Sequence, residues 1–169
     1  MDRSHLIDQL ACHEDVFRAL FNGLSPAELT WKPAPDKWCA LEVVCHLHDE
    51  EREDFRARLA HVLNTPHDAM PKIDPAAWVV ERRYIDQDLD AVLAKFLYER
   101  SASLVWLRSL TDAPWNNFYL HPTAGPVSCD LLLTNWVAHD LHHMRQLINL
   151  RYAYLRANSN EPLDYAGTW

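Results

Sequence analysis

The 169 residues carry a formal net charge of −8, from 24 acidic and 16 basic side chains, and 49% of them are hydrophobic. A chain of this length buries an apolar core without staples, and its acidity argues against nucleic-acid partners, which normally meet a basic patch. No apolar run approaches the roughly 18–20 residues that cross a bilayer, and Met1-Asp2-Arg3-Ser4-His5 has no signal-peptide pattern.

The cysteines, Cys12, Cys39, Cys45 and Cys129, form no C-x-x-C pair and no compact framework, so free thiols in a reducing cytoplasm are expected. Glycine is scarce, with 3 in the chain, and no stretch alternates β-branched with polar residues. Both features predict helices. The sequence has no internal repeat, low-complexity tract or heptad seam, which predicts a single domain over residues 1–169. Arg52, Arg56 and Arg58 cluster, but the acidic residues between them fit a solvated helix face.

Residues 2–22 follow a helical period, with Leu6, Leu10, Val16 or Phe17, Leu20 and Leu24 on the apolar face and Gly23 as the stop. His5 and His13 lie in this helix, either as surface or capping side chains or as a further metal ligand. Ser25-Pro26-Ala27-Glu28 is a capping box with proline at the first helical position, so a short turn of helix follows. Residues 30–37 are a proline-stiffened loop. A second long helix is predicted from about Trp38 to about Leu63, stopped by Asn64-Thr65-Pro66. The stripe of its C-terminal half, Phe55, Leu59 and Val62, extends back at a helical period through Leu41, Val44, Cys45 and His48. Its first half is apolar nearly all round, so His46 is a second candidate for the interior.

Residues 64–86 contain Pro66, Pro71 and Pro75 and predict a crossover with one short helical turn, long enough to traverse a bundle. Asp86 or Asp88 caps a third helix that ends near Leu110, with Leu89, Val92 or Leu93, Phe96, Leu97, Leu104, Trp106 and Leu107 as its core residues. Residues 111–127 form a second loop, extended over 115–121. Residues 158–169 are an irregular tail in which Tyr165 and Trp169 are candidates to close one end of the bundle. Four long helices with crossover-length connections predict an all-α four-helix bundle.

The last long helix, predicted over residues 127–154, carries the chemistry. Leu132, Trp136, His139, His143, Gln146 and Leu150 fall on one helical stripe. His139 and His143 are one turn apart, a pair whose Cβ atoms lie roughly 5–6 Å from each other. Neutral imidazoles so placed can converge on one metal ion. A histidine of the second helix, His46 or His48, brings the set to three, and three protein ligands with open positions are the pattern of a catalytic site. The rival bundle chemistry, a carboxylate di-iron site, needs two Glu-x-x-His pairs, which the sequence lacks. The lone His139-Asp140 dipeptide is weak ground for an HD-type phosphohydrolase.

Two segments resemble the DinB/YfiT-like superfamily of metalloenzymes. Pro35-Asp36-Lys37-Trp38-Cys39-Ala40-Leu41-Glu42-Val43-Val44-Cys45-His46-Leu47-His48-Asp49 looks like that family's tryptophan-to-histidine opening of helix two. Trp136-Val137-Ala138-His139-Asp140-Leu141-His142-His143-Met144-Arg145-Gln146 looks like its H-x-x-x-H-x-x-Q helix. Helix number, order and length agree over nearly the whole chain, although Cys39 stands where the family often has serine.

The resemblance implies a DinB/YfiT-type four-helix bundle around a divalent metal, zinc or nickel first among the candidates. Imidazole ligation itself also suits iron and copper. Carried over residue by residue, the ligands are His46, His139 and His143, with water in the remaining positions and His48 as the fallback. His142 then points away. Gln146 and Asp49, with Glu50, are candidates to orient a ligand or a bound water. Family members with assigned roles include transferases and isomerases that use low-molecular-weight thiols. The implied reaction is therefore transfer or addition of such a thiol to a small electrophilic substrate. Hydrolysis by bound water and a non-catalytic metal- or small-molecule-binding module are the alternatives. A homodimer is expected, with no nucleic acid or membrane partner.

Overall fold

The computed structural model describes residues 2–169. Its long helices are α1 (Arg3–Phe21), the continuous run α3 (Ala40–Asp49), π-helical turn (Glu50–Phe55) and α4 (Arg56–Asn64), then α6 (Leu89–Ser109) and α7 (Cys129–Asn158). Helix α1 packs between α6 and α7, and the α3–α4 run lies across from it against the same two helices. The architecture is a four-helix bundle. Short elements complete the chain: α2 (Pro26–Thr30), α5 (Pro75–Glu81), and 3-10 turns at Tyr84–Asp86 and Asp164–Ala166. Among the described residues, no helix is long and apolar enough to cross a membrane.

Local chemistry sets the helix boundaries. Ser25 and Glu28 form the expected capping box at α2. The second long helix starts at Ala40 rather than Trp38, because Cys39 takes the cap position and the Glu42 carboxylate accepts its backbone N–H at 2.9 Å. Asp74 accepts from the Ala77 backbone N–H and starts α5 inside the crossover, where one short turn is expected. Asp88 caps α6 through the Ala91 N–H at 2.9 Å. Residues before α7, expected as a loop extended over 115–121, form an antiparallel hairpin: β1 (Phe118–His121), within the extended stretch, pairs with β2 (Gly125–Ser128), with Phe118 opposite Ser128. Gly125 takes the left-handed conformation (φ 78°) that the tight turn needs. Pairing therefore claims residues 125–128, and α7 starts one step later, where Ser128 Oγ accepts the Leu131 N–H. The helix continues past Tyr154 to Asn158, since nothing in Leu155-Arg156-Ala157 breaks it. In the tail, Trp169 stacks on Tyr152 with ring centroids 4.1 Å apart, whereas Tyr165 stands in solvent.

The core divides into two apolar clusters. One joins Phe17 and Phe21 of α1 to Leu41–Leu47 of α3, Phe96 of α6 and Leu147 of α7. The other joins Leu6 and Leu10 of α1 to Leu59 of α4, Leu104 and Leu107 of α6, and Leu133 and Trp136 of α7. Each helix changes cluster at a buried polar residue: His13 on α1, Asp49–Glu51 at the π turn, Arg100 and Ser103 on α6, Asp140 and His143 on α7. Those residues form a polar layer through the bundle, and the candidate site is part of it.

Candidate metal centre

His46 lies in the last turn of α3, and His139 and His143 occupy the middle of α7. Their Nε2 atoms converge. His139 Nε2 is 3.2 Å from His46 Nε2 and 3.1 Å from His143 Nε2. Three ligand atoms of this trio lie within 4.8 Å of one another, and among the described residues no carboxylate or thiol joins them. A tetrahedral ion with metal–nitrogen bonds of about 2.0–2.1 Å has donor atoms roughly 3.3–3.4 Å apart along each edge. The observed separations come close to that spacing.

Proton positions support the same occupant. Gln146 Oε1 lies 2.8 Å from His143 Nδ1, so that nitrogen donates and Nε2 faces the trio with its lone pair. Burial, then the neighbouring imidazoles, push His46 down to about 3 and His139 down to about 2; burial takes His143 to about 4. All three are neutral at pH 7, the form that binds metal. The donor set fits a divalent ion.

The π turn shapes the second helix here. Its wider ring carries an extra residue, and one residue is about 100° of rotation. A single period drawn from Phe55 backwards is therefore out of register with the first half of the helix, whose residues 40–47 are all buried, so periodicity does not discriminate His46 from His48. In the structure His48 is half-buried beside Asp49 (Nδ1 to Oδ1 3.3 Å), away from the trio. The same turn buries Glu50, whose Oε1 is 4.0 Å from His46 Nδ1, and both atoms lack hydrogen-bond partners. Burial, with Asp54 beside it, pushes the Glu50 carboxyl up to about 8.

Other expected site residues go elsewhere. Asp49, expected beside the ligands, turns to the crossover: it accepts from Tyr84 Oη at 2.6 Å and pairs with Arg82 at 2.7 Å. The His48 contact first, then those of Tyr84 and Arg82, hold its carboxyl well below the ordinary range despite burial. Arg82 in turn lies over the Trp78 ring, so Asp49 anchors the crossover against α3. His142 is exposed, His5 is exposed, and His13 meets Asp140 (Nδ1 to Oδ2 2.9 Å) instead of the trio.

Sequence reasoning missed the group beneath the trio. Arg100, 1% exposed, donates to Asp140 from Nη1 at 2.6 Å and to Glu51 from Nε at 3.0 Å and Nη2 at 2.9 Å. Trp136 Nε1 donates to Glu51 Oε2 at 2.9 Å. The ties connect α6 to both helices that bear the histidines. The available signal was Arg100 standing in the Phe96–Leu104–Leu107 stripe of α6, where an unpaired charge has no place.

An acid sensitivity follows from the trio. The unfolded chain protonates each histidine near pH 6.5 and the folded one only near 4 or below, so stability is present above pH 6.5 and lost as pH falls. Between pH 7 and 5 this removes about 2 kcal/mol per histidine. Glu50 acts oppositely, because the folded state holds its proton, and returns roughly 2–3 kcal/mol over that range. Metal-stripped protein is therefore expected to be about 3 kcal/mol less stable at pH 5 than at pH 7. Urea unfolding at the two pH values measures this, and equal midpoints would contradict it.

Comparison with known proteins adds two findings. A model of the DinB superfamily matches residues 9–147. Among solved structures, the chain superimposes on YfiT from Bacillus subtilis with a TM-score of 0.78 at 21% identity, over 88% of this chain and 85% of that one. YfiT is described as a probable metal-dependent hydrolase with an unusual four-helix bundle topology. No curated protein matches the chain.

Proposed function

The chain belongs to the DinB superfamily, and from that membership we propose that it is a metal-dependent enzyme whose divalent ion is held by His46, His139 and His143. One observation carries the reading: three neutral imidazoles present Nε2 to a common point, 3.1–3.2 Å apart along two edges. A divalent ion held there supplies Lewis acidity, lowering the pKa of a bound thiol or water and polarising an electrophile.

The reaction we favour is transfer or addition of a low-molecular-weight thiol to a small electrophilic substrate. The chain's own groups accommodate it. A neutral trio leaves the ion's positive charge undiminished, which favours an anionic ligand, thiolate and hydroxide alike. Among the described residues no carboxylate joins the trio, so hydrolysis would rely on metal-bound hydroxide itself as the nucleophile. Glu50 lies behind His46, and Asp49 is held by Tyr84 and Arg82. Hydrolysis remains the second reading, supported by the description of the YfiT structure.

Cobalt-loaded protein separates the two. A small thiol added to it should bring a sulfur-to-cobalt charge-transfer band and shift the visible spectrum. An unchanged spectrum, with hydrolysis of activated esters that follows metal content, would overturn the thiol reading and favour the hydrolase.

Gln146 holds His143 in the ligating tautomer and orientation. Gln146→Leu is expected to weaken divalent-metal affinity by about 10–100-fold, as loss of such an outer partner does elsewhere. Glu50→Leu should weaken the affinity less, because no hydrogen bond joins its carboxyl to His46 Nδ1, 4.0 Å away. Competition with a chromophoric chelator measures both; unchanged affinity in either variant would remove that residue from the site.

A further inference from the structure

A groove of about 440 Å³ runs along the outer side of α7 beneath the residues that precede α3, lined by Lys37, Trp38, His142, Arg145, Gln146 and Asn149, among others. It shares walls with the histidine trio. The Trp38 ring packs on the His46 ring at 4.8 Å, the His142 ring meets the His143 ring at 5.2 Å, and Gln146 is bonded to His143.

Its charge is opposite to that of the chain. The protein carries −8, yet the groove is lined by two cations and no carboxylate. Most arginines of the chain are engaged by acids, as Arg82 is by Glu53 and Arg3 by Asp130. Arg145 is not: its guanidinium meets only the ring of His142, at 3.2 Å. Lys37 has the exposed neighbour Asp36 as its partner, at 3.0 Å. Arg145 and Asn149 stand one helical turn apart on the same face, so a fork of guanidinium donors and an amide are directed at one stretch of groove. Trp38 and Leu150 supply the apolar part of the lining.

Resting on the metal-enzyme reading above, we propose that this groove is the substrate subsite and that the substrate bears a carboxylate. Arg145 and Lys37 hold the carboxylate, and Trp38 carries the apolar or aromatic body that leads towards the trio. Guanidinium and carboxylate match as a bidentate pair, and the groove sets these polar groups beside the indole of Trp38, in the size range of small-molecule sites.

Titration calorimetry with hydrocinnamate and its amide tests this on metal-loaded and on chelator-treated protein. The acid should bind at least tenfold more tightly than the amide, a charge-assisted pair's contribution. The preference should persist without metal and fall with added salt. Arg145→Gln combined with Lys37→Gln should remove about tenfold of affinity for the acid and leave the amide unchanged; both side chains are at the surface, and circular dichroism confirms the fold. Equal affinity for acid and amide, no binding of either, or an acid preference indifferent to the double substitution would overturn the subsite. A preference that vanishes with the metal places the carboxylate on the ion and overturns it too. An acid preference in a chain that takes up no metal would support the subsite while overturning the metal-enzyme reading.

Discussion

Arg100→Ala is expected to destabilise the protein by about 3–5 kcal/mol, the cost of breaking a buried ion pair by removing one partner. Arg100 is fully enclosed, and its guanidinium is the shared cation of Glu51 and Asp140, both 1% exposed at the side chain. Without it, two carboxylates remain in a dry layer with Trp136 and His13 as their other partners. Their mutual repulsion is no longer offset. For a chain of this size the loss corresponds to a melting temperature lower by roughly 10–15 °C. Adding Glu51→Gln and Asp140→Asn to Arg100→Met separates charge from volume: neutral amides can keep the hydrogen bonds from Trp136 and His13 while removing the uncompensated charge. Recovery of much of the stability in that triple variant supports the electrostatic account. A triple variant no more stable than Arg100→Met alone would overturn it, because the two share their volume and differ only in the uncompensated charge.

The same layer bears on the site. Glu51 follows Glu50 on the π turn, and Asp140 follows His139 on α7. Arg100 therefore fixes the spacing between the helix that carries His46 and the helix that carries His139 and His143.

Single alanine substitutions at His46, His139 or His143 are expected to abolish stoichiometric metal, an effect beyond the roughly 10–100-fold that outer partners cost. Elemental analysis of purified variants reads it directly. His48→Ala and His142→Ala should retain metal, because His48 faces Asp49 and His142 faces solvent. Retention in His46→Ala with loss in His48→Ala would reverse the assignment on α3. Metal-stripped His139→Ala should also be less sensitive to acid than the parent. It removes one buried imidazole that the unfolded chain would protonate, and with it about 2 kcal/mol of the pH 7 to pH 5 change.

The four long helices were legible because each has its own local signals. Capping residues at Ser25 and Asp88 and proline clusters after Asn64 mark ends without reference to any other segment. The pair His139 and His143 was legible for the same reason: one helical turn puts i and i+4 on one face wherever the helix packs. Family resemblance then pointed to His46 over His48, against the periodicity.

What periodicity could not supply depends on long-range packing. The π turn at Glu50–Phe55 rotates one half of the helix against the other, and its cause is the polar layer, where Glu51 must reach Arg100 of α6 and Trp136 of α7. Asp49 turns to the crossover, where Tyr84 and Arg82, more than thirty positions away, join His48 as its partners. The β hairpin before α7 needs two strands to find each other, and neither four-residue stretch declares it alone. Local sequence determines which segments are helical and which side chains share a turn. Which faces meet, and whether Arg100 is buried with its acids, is decided only when four helices close on one layer, because ion-pair and hydrogen-bond energies there depend on distances between segments that the chain order does not encode.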